Sequence, residues 1–394
     1  MANTFSAHGL SIASEKACCM KVLLVTTSFP QNHSGAEAAG SFVADFAHEL
    51  AGTAEIAIVA PGIQECLEVD ARGLKIYRYK ASNQPLSTLK PQNPFHWPAI
   101  TATLISGNRA TLKAAKELGA DFILALWALP SGYWAQQAAK KLAIPYATWA
   151  LGSDIWALGR LPLVRSLLAR VMANASCRFA DGYQLAKDVE RISGKPCEFL
   201  PSARQLPVCG VPLEHKPPYR LVFLGRWHPN KGIDLLLDAL LGLSDDDWRQ
   251  IEMVRIAGGG PMAALVNEKI AQLHTQGRPV KLEGYKNVLE AAELLTWSDV
   301  VLITSRIESI PVVYSDALQA TRLVIATPVG DFPRLSDEQP GKGKIVLCNT
   351  TMVSDIAVLL RKVLDSGGWS FQDASGYDLL SAGVRKLYDA ASSV

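Results

Sequence analysis

The chain has 394 residues, 49% of them hydrophobic and 19% charged, with a net charge of +2. That length and apolar content supply two or three cores and exclude a disordered chain. The near balance of charge excludes bulk nucleic-acid binding. The seven cysteines (Cys18, Cys19, Cys66, Cys177, Cys197, Cys209 and Cys348) form neither a CxxC pair nor a disulfide ladder, so a reducing compartment is expected.

Residues 1–20 are polar and rich in small side chains. They read as a loose extension, with Met20 as an alternative start, and lack the cationic leader and cleavage site of a secretory signal. VLLVTT, from Val22 to Thr27, is a continuous apolar, β-branched run, as in a buried parallel strand. The loop SFPQNHSGAEAAG, the helical SFVADFAHELAG and the strand-like EIAIVAP complete a βαβ unit. Phe95, His96 and Trp97 lie in a Pro-bounded segment that reads as a packed surface loop or, alternatively, as lining for an acceptor. DFILAL and IPYATWA are further strands, with a helix near Gly132 to Lys141 between them. Residues 159–176 read as a helix and Cys177 to Ala180 as a short strand. Arg160, Arg165 and Arg170 lie beside the apolar stripe of that helix, which suits one buried face or a helix resting on an anionic membrane.

Residues 201–219 are rich in proline and weak in periodicity, as expected of an interdomain linker. A second alternating series follows: RLVFLG, GIDLLLDALLGL, IEMVRIAG, MAALVNEKIAQLH, VKLEG, LEAAELLTW, DVVLITS, VVYSDALQA and RLVIAT. The order predicts an α/β chain of two Rossmann-like, doubly wound domains facing a cleft, over residues 21–200 and 220–372. A C-terminal helix in 373–394 is expected to pack back toward the first domain.

Ligands of such sheets lie beyond the carboxyl ends of the strands, which directs attention to four loops. In the first, Gly225 permits close backbone approach, while Arg226 and Lys231 would neutralise a diphosphate; the bland alternative is a pair of solvated cations. Trp227 is expected against the linker, and His228 has no evident partner. The second loop, Gly258-Gly259-Gly260-Pro261, offers amides to an anion or is simply a glycine turn. In the third, Glu308 would accept hydrogen bonds from sugar hydroxyls, Ser305 would assist, and free amides around Ser309 and Ile310 would face ligand oxygens at a helix starting near Pro311. The alternatives are a carboxylate that favours the helix dipole for Glu308, and an exposed helical face for Asp316. The fourth loop, from Thr327 to Pro333, closes the nucleotide side or is an ordinary Gly/Pro turn.

FLGRWHPNKGIDLLLDAL, IAGGGP, LEGY and SRIESIPVVYSDALQATRLVIATPVG, in that order, resemble the retaining, GT-B-fold glycosyltransferases of family 4, the group 1 glycosyltransferases. The resemblance runs from about Lys21 to the end. It implies that Arg226 and Lys231 contact donor phosphates, that Glu308 touches sugar hydroxyls, and that Asp316, where the family usually has Glu, binds the ribose. Amides around Ser309, Ile310 and Pro311 would serve the donor, as would Gly225, Gly259 and, in the first domain, Gly35. Asp154 and Trp97 would lie on the acceptor side, with a helix-capping role as the alternative for Asp154.

The resemblance further implies a nucleotide-diphosphate sugar as donor substrate, no separate cofactor and no metal, since a DxD-like motif is missing. The acceptor would be an oligosaccharide or lipid-linked glycan. A cytoplasmic location follows, with peripheral contact on the inner face of the cytoplasmic membrane as a further expectation. The chain departs from the family at Leu124, Leu126 and Leu151, where relatives carry histidines, and at Arg334, which replaces an acid. Leu151 and Asp316 suggest a second reading, a non-catalytic nucleotide-sugar or glycan-binding protein of the same fold.

Overall fold

A computed structural model describes residues 20–30, 38–82, 89, 93–207, 214–338, 342–370 and 379–394. The first domain contains β1 (Lys21–Val25), α1 (Ala38–Leu50), β2 (Glu55–Gly62), β3 (Cys66–Val69), β4 (Lys75–Lys80), α2 (Trp97–Leu118), β5 (Phe122–Leu126), α3 (Ser131–Leu142), β6 (Tyr146–Ala150), α4 (Ser153–Trp156), α5 (Pro162–Ala173), β7 (Cys177–Ala180), α6 (Tyr183–Ser193) and β8 (Glu198–Phe199). Its strands lie in the order β3-β4-β2-β1-β5-β6-β7-β8. Only β3 runs antiparallel, as an edge hairpin with β4. The central strands are apolar on both faces because helices cover both. Leu23 and Val25 of β1 enter one core, and Val22 and Leu24 enter the other.

The second domain contains β9 (Glu214–His215), β10 (Tyr219–Arg226), α7 (Ile233–Leu241), α8 (Asp245–Arg249), β11 (Ile251–Gly259), α9 (Ala263–Thr275), β12 (Val280–Glu283), α10 (Val288–Trp297), β13 (Val300–Ile303), α11 (Val312–Gln319), β14 (Leu323–Ala326), α12 (Phe332–Asp337), β15 (Ile345–Leu347), α13 (Val353–Leu364) and β16 (Trp369–Ser370). Its sheet has the order β12-β11-β10-β13-β14-β15 and is parallel throughout. Strand order therefore reverses between β10 and β13, and in the first domain between β1 and β5. These are the switch points at which doubly wound sheets open a crevice.

Two parts of the first domain differ from the sequence-based expectation. Phe95 and His96 lie in a short 3-10 turn at the surface, with Phe95 exposed rather than packed, and Trp97 opens the 22-residue helix α2. The helix is poorly marked because its first half is rich in Thr, Ser and Gly, which are weak helix formers. Packing overrides that weakness: Gly107 lies directly against the Trp134 ring, leaving no room for a side chain. The β3–β4 hairpin was also unmarked, its strands being short and half polar.

The connection crosses between domains near residue 204. Leu200 and Ala203 pack in a first-domain core, whereas Leu206 packs in a second-domain core. α14 (Leu379–Ser392) lies against α1, burying Leu380, Val384 and Leu387 in the first-domain core. Ser381 Oγ donates to Glu49 at 2.6 Å, and Lys386 pairs with Glu198 at 3.0 Å. In α5, Leu168, Val171 and Met172 turn into the core, while Leu163 stays exposed. Among the described residues, no helix is long and apolar enough to cross a membrane.

Because Leu387 is 1% exposed at the α14 contact, Leu387→Ala should destabilise the fold by about 2–5 kcal/mol. Urea unfolding followed by circular dichroism measures this; an unchanged midpoint would show that α14 does not support the first-domain core.

Candidate active site

The four loops of the second domain stack on one another through backbone contacts that only glycine allows. Gly232 has φ 62°, and any side chain there would run into the Thr304 carbonyl; Thr304 Oγ1 donates to the Gly232 carbonyl at 2.9 Å. The Arg306 amide donates to the Asn230 carbonyl at 2.7 Å. These contacts hold the loop after β10 against the loop after β13. Gly258, with φ 141°, abuts the Gly225 carbonyl, and Gly330, with φ 58°, abuts the Glu308 carbonyl. Gly259 is pressed by the Tyr285 ring, 2.7 Å from where its Cβ would lie. Gly260, with φ 152°, likewise abuts the Trp227 carbonyl, so all three glycines are packed too closely for a side chain, whereas a Cβ on Gly225 would meet only ordinary contacts with Phe223.

On this platform Lys231 Nζ forms an ion pair with Glu308 Oε2, and Ser305 Oγ donates to the same oxygen at 3.2 Å. The sequence-predicted cation and carboxylate therefore meet at the switch point. Arg226 is exposed at the end of β10. Burial lowers the His228 pKa, and the charges of Arg226 and Lys231 lower it further. His228 does have a partner: its Nδ1 accepts from the Asn230 amide at 3.2 Å and caps the short turn before Gly232. Trp227 is buried in the second-domain core rather than against the linker. Arg306, which no motif pointed to, braces the platform through two hydrogen bonds to Asp234, at 2.8 and 2.6 Å.

The remaining expected residues are placed as follows. Ser309 and Ile310 are buried just before α11, and Pro311 is its N-cap; lacking an N–H, Pro311 supplies no donor. Asp316 is not on an exposed helical face. It is 1% exposed, and Arg204 from the crossing segment donates to its two oxygens at 2.7–3.1 Å. Burial pushes the Asp316 carboxyl up, yet Arg204 is raised above its ordinary value by Asp316 and Asp45 despite its own burial. A guanidinium that does not lose its proton, donating three hydrogen bonds, settles the pair as ionised.

Asp154 does not cap its helix through its side chain; Gly152 is the N-cap. Instead its carboxylate accepts from the Ala128 amide at 2.6 Å and the Leu151 amide at 3.2 Å, bracing the loops after β5 and β6. Burial raises its pKa to about 6. Leu124 and Leu126 are core residues, and Leu151 packs on the edge of the same core. Trp97 is 58% exposed at the start of α2. Gly35 falls outside the described residues.

The structure adds residues that motif reading missed, most of them at the junction of the domains. Asp181, after β7, is buried between Ser309 Oγ at 2.5 Å and Ser202 Oγ at 3.2 Å. Asp331 reaches from the second domain to the open N-terminus of α6, where its carboxylate accepts from the Gln184 amide at 3.0 Å. Arg334 stacks on the Tyr183 ring, 3.6 Å from its centroid, and pairs with Glu338. Gly182 allows this approach: a Cβ would stand 2.5 Å from Asp331 and 2.6 Å from Ser309. Trp127, at the end of β5, has φ 65°, a conformation that costs a non-glycine residue about 1–3 kcal/mol.

Two Rossmann-like domains with loops converging at their switch points define a GT-B architecture. Sucrose-phosphate synthase from Thermosynechococcus elongatus shares it with a TM-score of 0.67 at 14% identity, over 95% of this chain and 97% of that one. Anabaena Alr3699/HepE in complex with UDP-glucose shares it with a TM-score of 0.61 at 14% identity, over 95% of each chain. Residues 218–366 match the family model of glycosyl transferases group 1. Bacillus subtilis TuaC, a glycosyltransferase named for teichuronic acid biosynthesis, is 26% identical over 285 residues. That alignment covers 67% of this chain and 65% of TuaC, just under two thirds of its length.

Cutting one partner of a buried ion pair leaves a bare charge. Arg204→Ala, which strands Asp316, should therefore cost about 3–5 kcal/mol, whereas the double variant Arg204→Met with Asp316→Leu should recover most of that loss. Chemical denaturation of the three proteins checks both statements.

Proposed function

We propose that this protein is a retaining hexosyltransferase that takes its sugar from a nucleotide-diphosphate donor and passes it to an oligosaccharide or lipid-linked glycan. The observation that carries the proposal is the meeting of Lys231 with Glu308 at the second-domain switch point, where Arg226 ends β10. A diphosphate laid there would draw Lys231 and Arg226 and have its developing charge stabilised as the bond to the sugar breaks. Glu308 would accept hydrogen bonds from sugar hydroxyls, fixing the donor's orientation. In this scheme the acceptor attacks on the face from which the phosphate departs, and the departing phosphate takes the acceptor proton. Leu151 has no part in that proton transfer. Because two cations serve the diphosphate, we infer metal-independent transfer.

The UDP-glucose complex of HepE supports a nucleotide sugar as donor, and the teichuronic acid connection of TuaC supports a bacterial surface polysaccharide or glycolipid as destination. Asp154, Trp97 and the strained Trp127 lie in the first domain, where we place the acceptor. Gly35, Gly225 and the amides of Ser309 and Ile310 are assigned to the donor. The second reading, a binding protein without turnover, is favoured by Leu151 and by the engagement of Asp316 with Arg204.

Incubation with UDP-, GDP- and ADP-sugars, followed by mass spectrometry of hydrolysis and transfer, separates the readings. Transfer with retained anomeric configuration, reduced about 10²–10³-fold by Glu308→Ala, is expected. Donor binding without hydrolysis or transfer would establish the binding-only reading, and full turnover in the Glu308 variant would remove that residue from the site.

We further propose peripheral contact with the inner face of the cytoplasmic membrane through α5, whose Arg165 and Arg170 are exposed near Leu163. Charge reversal at both arginines should weaken sedimentation with anionic liposomes; failure of the unaltered protein to sediment ends this part of the proposal.

A further inference from the structure

Asp181 is the point at which the first domain touches the loop that carries Glu308. It stands directly after β7, is 6% exposed, and holds Ser309 from the second domain and Ser202 from the crossing segment. Ser309 is the chain neighbour of Glu308, so fixing its hydroxyl limits the backbone of the whole Arg306-to-Pro311 turn. Gly182 brings the two domains too close at this point for a side chain. The charged groups facing Asp181 are unfavourable to a second carboxylate. Glu308 lies on the β13–α11 loop and Asp154 on α4, and both act against its ionisation. Lys231, the nearby cation, is already paired with Glu308. Asp331 is committed to the start of α6.

We propose that Asp181 is a positioning residue that ties the Glu308 loop to the first domain through Ser309 and so holds Glu308 in register with Lys231. The role deepens the transferase assignment and rests on it for its consequence in turnover, although the tether itself is independent of any reaction. Both hydroxyls donate to its carboxyl oxygens, Ser309 to Oδ1 and Ser202 to Oδ2. Burial beside Glu308 nevertheless favours the neutral acid, because ionisation would place another negative charge there. Burial, opposed by the two serine hydrogen bonds and reinforced by Glu308 and Asp154, raises the Asp181 pKa from 3.8 to about 8. Because the folded value is raised, the tether's contribution is complete below about pH 4 and is lost as pH rises through about 8.

Amide hydrogen exchange of the peptide spanning residues 306–314, corrected for intrinsic rates between about pH 6 and about pH 9.5, tests the tether. In the unaltered protein, protection should fall by up to about tenfold per pH unit between about pH 6 and about pH 8 and level off above that. Asp181→Asn, which keeps a carbonyl acceptor and cannot ionise, should remain protected and be flat with pH; Asp181→Ala should be unprotected throughout. Turnover with the nucleotide sugar should follow the same three pH profiles. An Asp181→Asn protein that loses protection between about pH 6 and about pH 8 as the unaltered protein does, or an Asp181→Ala protein as protected as either, overturns the proposal. Should the Ala variant fail to fold, the comparison with Asn decides alone. If the exchange profiles are as expected but no sugar is transferred by any of the proteins, the transferase assignment fails and the tether stands.

Discussion

The candidate site depends on the parallel pairing of β10 with β13, the two strands on either side of the order reversal in the second sheet. Adjacent parallel strands at a switch point send their following loops to opposite sides of a crevice. Here the loops are drawn together again by the contact of Gly232 with the Thr304 carbonyl, a packing that any side chain would forbid. Lys231 and Glu308 are the neighbours of that contact, so their meeting is a consequence of sheet register and one glycine. Arg306, braced on Asp234, keeps the two loops from separating.

Around this platform the domains are joined by polar contacts that would be costly if broken singly. Arg204 links the crossing segment to Asp316, Asp331 finishes the first turn of α6, and Asp181 holds Ser309. Each buried group has at least one polar partner from another domain or segment, as desolvation demands. The contacts are directional, whereas a purely apolar junction would permit many relative orientations of similar energy. The acid that resembles the ribose ligand of relatives is thus engaged in joining segments here, and a carboxyl group unmarked by any motif occupies the junction nearest Glu308.

Most of the architecture was legible because its strands are apolar runs bounded by glycine or proline. VLLVTT, DFILAL and DVVLITS admit few other interpretations once helices alternate between them. The helix α2 was not legible, since its Thr- and Ser-rich beginning is stabilised by tertiary contacts such as that of Gly107 with Trp134. The loop residues Arg226, Lys231 and Glu308 stood out by charge and position. Asp181 did not, because a single Asp after a four-residue strand carries no local pattern, and its partners are distant in sequence.

Sequence alone determined the alternation of strands and helices, the division into two domains, and which loops carry cations and a carboxylate beyond the strand ends. These are properties of local periodicity and chain order. Only the tertiary structure decided that Lys231 touches Glu308, that Asp316 faces Arg204, and that Asp181 holds Ser309. Such partners are separated by dozens to hundreds of residues, and which of many compatible charges pair is chosen by how packed backbones bring them within hydrogen-bond reach.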